Sequence, residues 1–260
     1  MKQEMLKYYP EIREDRIVVT GTPQFVPYFD ENIERTKVEF GKDYYLPSDI
    51  KWICFSGDDI TTSPHDQIYL EHLAASVIQW NSLKQDKLHI IFRRCPADNS
   101  NRYDDVLKQY SNIITAVEPA WRTLDSASGW HTIIPKKEDI AVLVNTVIHS
   151  EFVVNVGSTM AHDFGILNKP CIFINYNVNS IDHSWDVKKV YKYIHFNSMK
   201  DLNPVIWINC KDQWLGCIES ALCHSESIVQ DVQEWTKRIT LFPFEDANER
   251  IINTLLKLTC

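Results

Sequence analysis

Short apolar runs alternate with longer amphipathic stretches along most of the chain. This alternation is typical of a parallel sheet with helices on both faces, because its strands are buried on both sides. The apolar runs predict strands over 17–20, 52–55, 88–92, 113–117, 132–134, 152–156, 171–175 and 205–208. The amphipathic stretches predict helices over 67–80, 103–109, 138–149, 158–167, 186–193, 213–224 and 247–258. The sequence therefore predicts an α/β fold built on a doubly wound parallel sheet.

Composition and charge narrow the class of protein. The chain has 260 residues, of which 44% are hydrophobic and 12% aromatic, as is typical of a folded soluble protein. A net charge of −8 argues against a general nucleic-acid binder. The seven cysteines are odd in number and scattered, which predicts no disulfide framework or zinc site and fits a reducing cytoplasm. With no run of 18 apolar residues and no export signal, we expect no transmembrane segment.

The most informative stretch is 152–176, where an apolar strand, a small-residue turn, a short helix and a second apolar strand follow one another. Gly157 in the turn allows the backbone to approach a ligand closely. Ser158 or Thr159 can cap the helix, whose first N–H groups and dipole favour an anion. Asp163 lies one turn later, where its carboxylate can accept hydrogen bonds from sugar hydroxyls. These parts suit a nucleotide diphosphate, although many α/β proteins carry the same pattern with nothing bound.

The segment 155–163, Asn-Val-Gly-Ser-Thr-Met-Ala-His-Asp, followed by Asn-Lys-Pro at 168–170, resembles the donor-binding turn of GT-B fold glycosyltransferases. In several of their families an acidic residue seven positions before this proline holds the donor ribose, and Asp163 stands seven before Pro170. The Asp-Phe and Lys-Pro pairs are also similar to the CDP-glycerol glycerophosphotransferases, which share the fold. Asn155 is a further donor-site candidate, but it is neutral where many retaining enzymes have a first acid, so retaining and inverting chemistry both stay open.

The loop after the predicted strand 52–55 contains Gly57, Asp58 and Asp59. Ligands of open α/β sheets bind at the carboxyl ends of the strands, so we expect this loop and the Gly157 turn to share one crevice. Two aspartates repel a phosphate unless a cation or a hydroxyl intervenes, and the alternative is that they cap the next helix or lie in solvent. Resemblance to bacterial glycosyltransferases with a Ser-Gly-Asp-Asp segment makes Gly57 and Asp58 candidates for donor binding.

Two more strand ends supply candidates. At Arg93 and Arg94 a guanidinium can neutralise the β-phosphate of a donor bidentately. Because side chains alternate along a strand, only one of them can point into the crevice, and we expect the other in an ion pair. We place Arg93 ahead of Arg94 for the phosphate. For Ile134 and Pro135, before a helix with an acidic first turn, the resemblance implies that backbone groups hold the nucleotide base.

The resemblance covers nearly all of the chain, and its motifs belong to the donor-binding half of a two-domain enzyme. It implies a C-terminal, Rossmann-like GT-B domain that binds a nucleotide sugar over 17–260, and a segment 1–16 that leads in from an N-terminal domain. The implied activity is transfer of a sugar from a nucleotide-diphosphate sugar to a cell-surface glycan or lipid-linked acceptor, in the cytoplasm or at the inner face of the membrane. We expect no metal or other cofactor, because a helix N-terminus and basic side chains can stabilise the departing nucleotide diphosphate. No catalytic residue is assigned.

Two alternative functions stay open. One is a CDP-glycerol-type phosphopolyol transferase, and the other is a non-catalytic subunit or fragment that binds a nucleotide sugar. In either case an N-terminal domain or a partner chain is expected to complete the site. A face left for that partner predicts an exposed apolar patch, with Tyr28, Phe29 and Trp185 as its candidates.

Overall fold

The computed structural model describes residues 2–124, 132–178, 185–223 and 226–259. Its strands are, in chain order, β1 (Lys51–Ser56), β2 (Leu88–Arg93), β3 (Ile114–Ala116), β4 (Trp121–Thr123), β5 (Ile133–Pro135), β6 (Ser150–Asn155), β7 (Cys171–Ile174) and β8 (Ile206–Ile208). Six of them form one sheet in the order β3-β2-β1-β6-β7-β8, and every neighbouring pair in it is parallel. β4 and β5 pair with each other as a separate antiparallel hairpin.

The α-helices of the described residues are α1 (Lys2–Tyr8), α2 (Lys37–Tyr44), α3 (Asp66–Leu83), α4 (Asp104–Gln109), α5 (Glu138–His149), α6 (Met160–Ile166), α7 (Val187–Val190), α8 (Trp214–Cys223), α9 (Glu226–Ile239) and α10 (Ala247–Thr259). Short 3-10 helices cover Glu14–Arg16, Pro23–Phe29, Ile194–Met199 and Lys211–Gln213. No helix in the described part of the chain has both the length and the hydropathy to cross a membrane.

Helices cover both faces of the sheet, which explains why its strands are apolar runs. On one face, α3 and α8 bury the side chains of alternate strand residues such as Phe55, Phe92 and Val154. On the other face, α5, α6 and the 3-10 helix Pro23–Phe29 pack on the residues between them, such as Cys54 and Val153. Because side chains alternate along each strand, successive residues pack into two separate cores on opposite faces of the sheet. The same alternation directs each polar residue at a strand end toward one face or the other.

Seven of the eight predicted strands are present, and the doubly wound sheet is confirmed. The predicted strand 17–20 is wrong: these residues form no ladder, and Val18 and Val19 are 56% and 51% exposed. The predicted strand 132–134 corresponds to β5, which lies in the hairpin rather than in the main sheet. A segment rich in β-branched residues forms a strand only where the edge of a neighbouring strand is available to pair with it.

All seven predicted helices are present, although α7 is shorter than predicted, and three further helices were missed: α1, α2 and α9. α2 had a readable signal, because Thr36 and Glu39 form a capping box in which each side chain bonds the other's backbone N–H. The predicted boundary after residue 16 stays a prediction.

The expected apolar patch is not formed as predicted. Tyr28 is buried at 8% exposure, so its inclusion was wrong. Trp185 is half-buried, with its indole N–H donating to Thr62 O at 2.9 Å. Phe29 is 44% exposed, as expected. The burial of Tyr28 has a specific cause, since its hydroxyl bonds a buried carboxyl group on α6.

Candidate functional site

The strand order reverses between β1 and β6. From β1 the chain moves outward through β2 to β3, and it then returns to the other side of β1 to continue through β6, β7 and β8. The loops that leave β1 and β6 therefore diverge and open a crevice at the carboxyl ends of these two strands, where ligands of such sheets bind. Because all three strands are parallel, the turns at Gly57, Arg93 and Gly157 lie at this same edge, as predicted.

The turn after β6 is held by its own side chains. The buried Asn155 accepts a 2.9 Å hydrogen bond at Oδ1 from the Ser158 N–H, which closes the turn. Ser158 Oγ accepts a 3.4 Å bond from the Met160 N–H at the start of α6, and it lies 3.5 Å from Ser56 Oγ at the end of β1. The next residue, Thr159, is exposed and makes no side-chain cap. The hydroxyls of Ser56 and Ser158 thus lie within contact distance of each other, where the ends of β1 and β6 meet.

Both glycines pack closely against aromatic side chains of the protein. Gly157 has φ +73°, and a Cβ there would lie 2.9 Å from the ring of Phe196. A Cβ on Gly57 would lie 2.8 Å from the hydroxyl oxygen of Tyr103. Each glycine is needed because a neighbouring aromatic ring occupies the space of its side chain. The donor roles predicted for the two residues stay predictions.

Asp58 projects from the loop after β1 toward β6. Its carboxyl group is hydrogen-bonded by the main chain of Val156, and its Oδ2 is buried without a partner among the described residues. Burial, and then the nearby carboxylates of Asp66 and Asp59, raise the pKa of Asp58 well above its ordinary value. Asp59 itself accepts bonds from the Thr61 hydroxyl and main chain within the loop, so it does not cap the next helix, α3.

The loop that carries Asp58 is clamped by residues that the sequence did not single out as functional. Arg102 donates to the main-chain oxygens of Asp58 at 2.7 Å and Ser63 at 2.5 Å, and to the carboxylate of Asp98 at 2.7 Å. The fully buried Asp66 accepts a 2.6 Å bond from the Asp58 N–H, and burial raises the pKa of Asp66 to about 6. These contacts join the ends of β1 and β2, and no local motif signals them.

Both arginines form ion pairs, and that of Arg93 is buried. Its Nη2 lies 2.9 Å from both carboxylate oxygens of Asp139, and both side chains are buried. Arg94 extends from the other side of the strand end, where Nη1 donates to Ser100 O at 2.5 Å and Nε lies 3.3 Å from Glu118. Side-chain alternation predicted that only one arginine could point into the crevice. In the structure, Arg93, which was placed first for the phosphate, forms a buried ion pair with Asp139. A phosphate role for either arginine stays a prediction.

Asp139 connects this pair to the β4–β5 hairpin. It accepts a 2.7 Å bond from the Ala120 N–H and a 2.6 Å bond from the indole N–H of Trp121. Trp121 and Arg122 in turn pair with Pro135 and Ile134 across the hairpin. Ile134 is half-buried and Pro135 exposed. Arg93 and Asp139 therefore fix the position of the two residues whose backbone the resemblance assigns to the nucleotide base, and that assignment stays a prediction.

Asp163 points inward from α6 and is 3% exposed. Its Oδ1 accepts a 2.9 Å hydrogen bond from the hydroxyl of Tyr28. Burial raises the pKa of Asp163 to about 6, against the opposing effect of hydrogen bonds from Tyr28 and Gln24. The ribose role predicted for Asp163 stays a prediction, and it requires Tyr28 to give way to the sugar.

The structure thus brings together Ser56, Asp58 and the turn 155–158 at one crevice. Arg93 and the β4–β5 hairpin, which Asp139 connects, lie beside it. Within the described ranges, no three His, Cys, Asp or Glu side chains cluster as metal ligands. The cysteines described there are all unpaired.

Comparison with known proteins gives a fold but no family. No family model and no curated protein matches the chain. Among solved structures, it is similar to the Staphylococcus aureus MnaA–UDP co-structure, with 15% identity and a TM-score of 0.56 over 99% of this chain and 58% of that one. It is similar to the wall teichoic acid polymerase TagF, with 18% identity and a TM-score of 0.56 over 98% of this chain and 55% of that one.

A third similar structure is the UDP-GlcNAc 2-epimerase of Neisseria meningitidis bound to UDP-GlcNAc, with 11% identity and a TM-score of 0.53 over 98% of this chain and 59% of that one. The chain spans little more than half the length of these three proteins. The likeness confirms the predicted Rossmann-like domain of the GT-B fold.

Proposed function

We propose that this chain is the donor-binding half of a glycosyltransferase that takes a sugar from a nucleotide-diphosphate sugar and passes it to a cell-surface glycan or lipid-linked acceptor. The observation that carries the proposal is the β1–β6 reversal of strand order, where Ser56 Oγ and Ser158 Oγ lie 3.5 Å apart at the carboxyl ends of the two strands. The structures to which the chain is similar include complexes with UDP and UDP-GlcNAc, a nucleotide diphosphate and a nucleotide-diphosphate sugar of the kind proposed here.

The electrostatics of the crevice favour a phosphate. An ionised Asp58 would repel it, but burial and the neighbouring carboxylates raise the pKa of Asp58, which favours its neutral form and weakens that repulsion. A neutral carboxyl group can donate a hydrogen bond to a phosphate oxygen, as can the hydroxyls of Ser56 and Ser158. A neutral Asp58 would not repel the phosphate as an ionised aspartate in this loop would. The proposed site requires no metal or other cofactor.

Two alternatives share this crevice. The likeness to TagF, of which two structures were soaked with CDPG, favours a CDP-glycerol-type phosphopolyol transferase. A non-catalytic nucleotide-sugar-binding subunit is the second alternative. The proposal includes a further N-terminal domain or a partner chain that binds the acceptor, and a place in the cytoplasm or at the inner face of the membrane.

Calorimetric titration of the chain with UDP, CDP and GDP, and with the matching monophosphates, tests the proposal. We expect one diphosphate to bind at least about tenfold more tightly than its monophosphate, a difference of about 1.4 kcal/mol. Ser158→Asp should weaken that binding by at least about tenfold, because it adds a negative charge to the crevice while still capping α6. Ser111→Asp is the matched control, since Ser111 is exposed before β3, at the opposite edge of the sheet.

Failure of all three diphosphates to bind at millimolar concentration would contradict the proposal, as would equal effects of the two serine variants. Thermal unfolding of both variants confirms that the fold is intact. Release of nucleotide diphosphate from UDP-sugars, and release of the monophosphate from CDP-glycerol, then distinguishes the sugar transferase from the phosphopolyol transferase. Binding without either reaction, in the presence of acceptor and of any missing domain, identifies the non-catalytic subunit.

A further inference from the structure

A second cavity opens at the carboxyl ends of β7 and β8, beside the crevice but outside it. Its volume is about 440 Å³, and its walls are Asn175, Lys188, Tyr191, Lys192, Trp207 and Asn209. None of these residues belongs to the β1–β6 crevice. Tyr191 separates the two spaces, because a Cβ on Gly157 would lie 3.3 Å from its ring. A ligand in this cavity would therefore lie on the far side of Tyr191 from the nucleotide proposed above.

Two lysines give the cavity a positive charge, and the nearby carboxylate of Asp186 offsets part of it. Lys188 and Lys192 lie four positions apart along α7 and the turn that follows, and both are exposed. Neither makes an ion pair with a described residue. The adjacent Asp186 is already engaged, since its carboxylate caps α7 through the Lys188 N–H and accepts from Asn177 Nδ2. In a chain with a net charge of −8, paired cations of this kind favour an anionic ligand.

The other walls suit hydroxyls and the apolar face of a sugar. Asn175 Nδ2 donates to Asn209 Oδ1 at 2.7 Å, which leaves one amide oxygen and one amide nitrogen for a ligand. The Tyr191 hydroxyl is used within the fold, in a 2.6 Å bond to Ile174 O. Its ring packs edge-to-face on Trp207, with centroids 4.8 Å apart. Aromatic surface with a few convergent polar groups is typical of a small-molecule site.

We propose that this cavity binds a saccharide or polyol that carries an acidic group, either a phosphate or a carboxylate. Lys188 and Lys192 hold the acidic group, the two asparagines bond hydroxyls, and the Trp207–Tyr191 wall packs on the carbon skeleton. The site does not depend on the proposed function, because it shares no residue with the crevice.

Titration of the whole chain at low ionic strength tests this site with glucose 6-phosphate, glucuronate, glucose and inorganic phosphate. We expect at least one of the two acidic sugars to bind at least about tenfold more tightly than glucose and than inorganic phosphate. The tighter of the two acidic sugars identifies phosphate or carboxylate as the preferred group. The double variant Lys188→Gln/Lys192→Gln should weaken that binding by at least about tenfold, and added salt should weaken wild-type binding.

The control Lys189→Gln/Lys200→Gln removes the same charge from residues outside the cavity, and it should change the affinity by less than about twofold. Asn209→Asp should weaken binding of the acidic sugar, because it places a negative charge in the cavity wall at nearly unchanged volume. Equal binding of glucose, equal binding of inorganic phosphate, or an equal effect of the two double variants would overturn the proposal. Nucleotide titration of the same variants is an independent readout, so failure here and failure of the proposed function can be told apart.

Discussion

The hydroxyl of Tyr28 donates a 2.9 Å hydrogen bond to Asp163, 135 positions away along the chain. Both residues are buried, at 8% and 3% exposure. The bond joins the 3-10 helix Pro23–Phe29 to α6, the helix that leaves the crevice. Burial, and then the charge of Asp163, raise the pKa of Tyr28 well above its ordinary value, so Tyr28 remains the donor.

Tyr28→Phe should destabilise the fold by about 1–2 kcal/mol, because it leaves a buried carboxyl oxygen without this donor. Urea unfolding measures the change. Tyr45→Phe is the matched control, since Tyr45 is 92% exposed, and we expect a change within about 0.5 kcal/mol. Equal stability of the two variants would show that the Tyr28–Asp163 bond does not hold the helix in place.

Asp163 should make the stability of the protein depend on pH. Its pKa rises from 3.8 when unfolded to about 6 when folded, so the folded state holds its proton more tightly. The resulting stabilisation is complete below pH about 4 and is lost as the pH rises through about 6, by about 2–3 kcal/mol.

Asp163→Asn removes this titration, so the stability of the variant should fall less between pH about 4 and 7 than that of the wild type. Urea unfolding across that range measures the difference, and other groups that titrate there cancel because both proteins contain them. Asp15→Asn, at an exposed carboxylate, should retain the wild-type profile. Parallel profiles for wild type and Asp163→Asn would contradict the raised pKa.

The sequence predicted the sheet well because its signal is local. A strand buried on both faces, such as β6 or β7, must be apolar along its whole length, and that is visible in a window of a few residues. The segment 17–20 has the same composition, but whether it pairs depends on a partner edge elsewhere in the chain. α9 illustrates the opposite error, since Val232 and Trp235 lie three positions apart on its buried face and gave a helical signal that was missed.

The candidate site was predictable only in part. The positions of Gly57, Arg93 and Gly157 at one edge follow from parallel strand order, which the alternating pattern already indicates. The state of each side chain does not follow from it. Arg93 pairs with Asp139, 46 positions away, and Asp163 accepts a hydrogen bond from the distant Tyr28. Pairings between such distant residues leave no pattern in the local sequence.

Breaking the buried pair of Arg93 and Asp139 should be costly. Arg93→Met leaves the Asp139 carboxylate buried without its cation, and we expect a loss of about 3–5 kcal/mol in the free energy of unfolding. Lys84→Met is the control, because the pair of Lys84 with Glu219 is about half exposed and should contribute much less to stability. Urea denaturation of both variants gives the comparison, and similar losses would show that Arg93 is not a structural residue.

Gly157→Ala tests whether packing, rather than a ligand, requires glycine in the turn after β6. An alanine there must adopt φ +73° and place its methyl group 2.9 Å from Phe196, for a combined cost of about 2–4 kcal/mol. Gly216→Ala is a matched control in α8, where no atom lies within 4 Å of the new methyl group. It should stabilise the protein by about 0.5–1 kcal/mol, since alanine favours a helix interior over glycine.

A double-mutant cycle separates the two parts of the Gly157→Ala cost. In a Phe196→Ala background the clash is gone and only the backbone strain remains, so Gly157→Ala should cost at least about 1 kcal/mol less there than in the wild type. Thermal and urea unfolding of the four proteins measure the coupling. An unchanged cost in both backgrounds would assign the glycine to backbone conformation alone. If Gly157→Ala proved as harmless as Gly216→Ala, the folded protein would not require glycine at this turn. The prediction that Gly157 allows a ligand to approach the backbone would then be favoured.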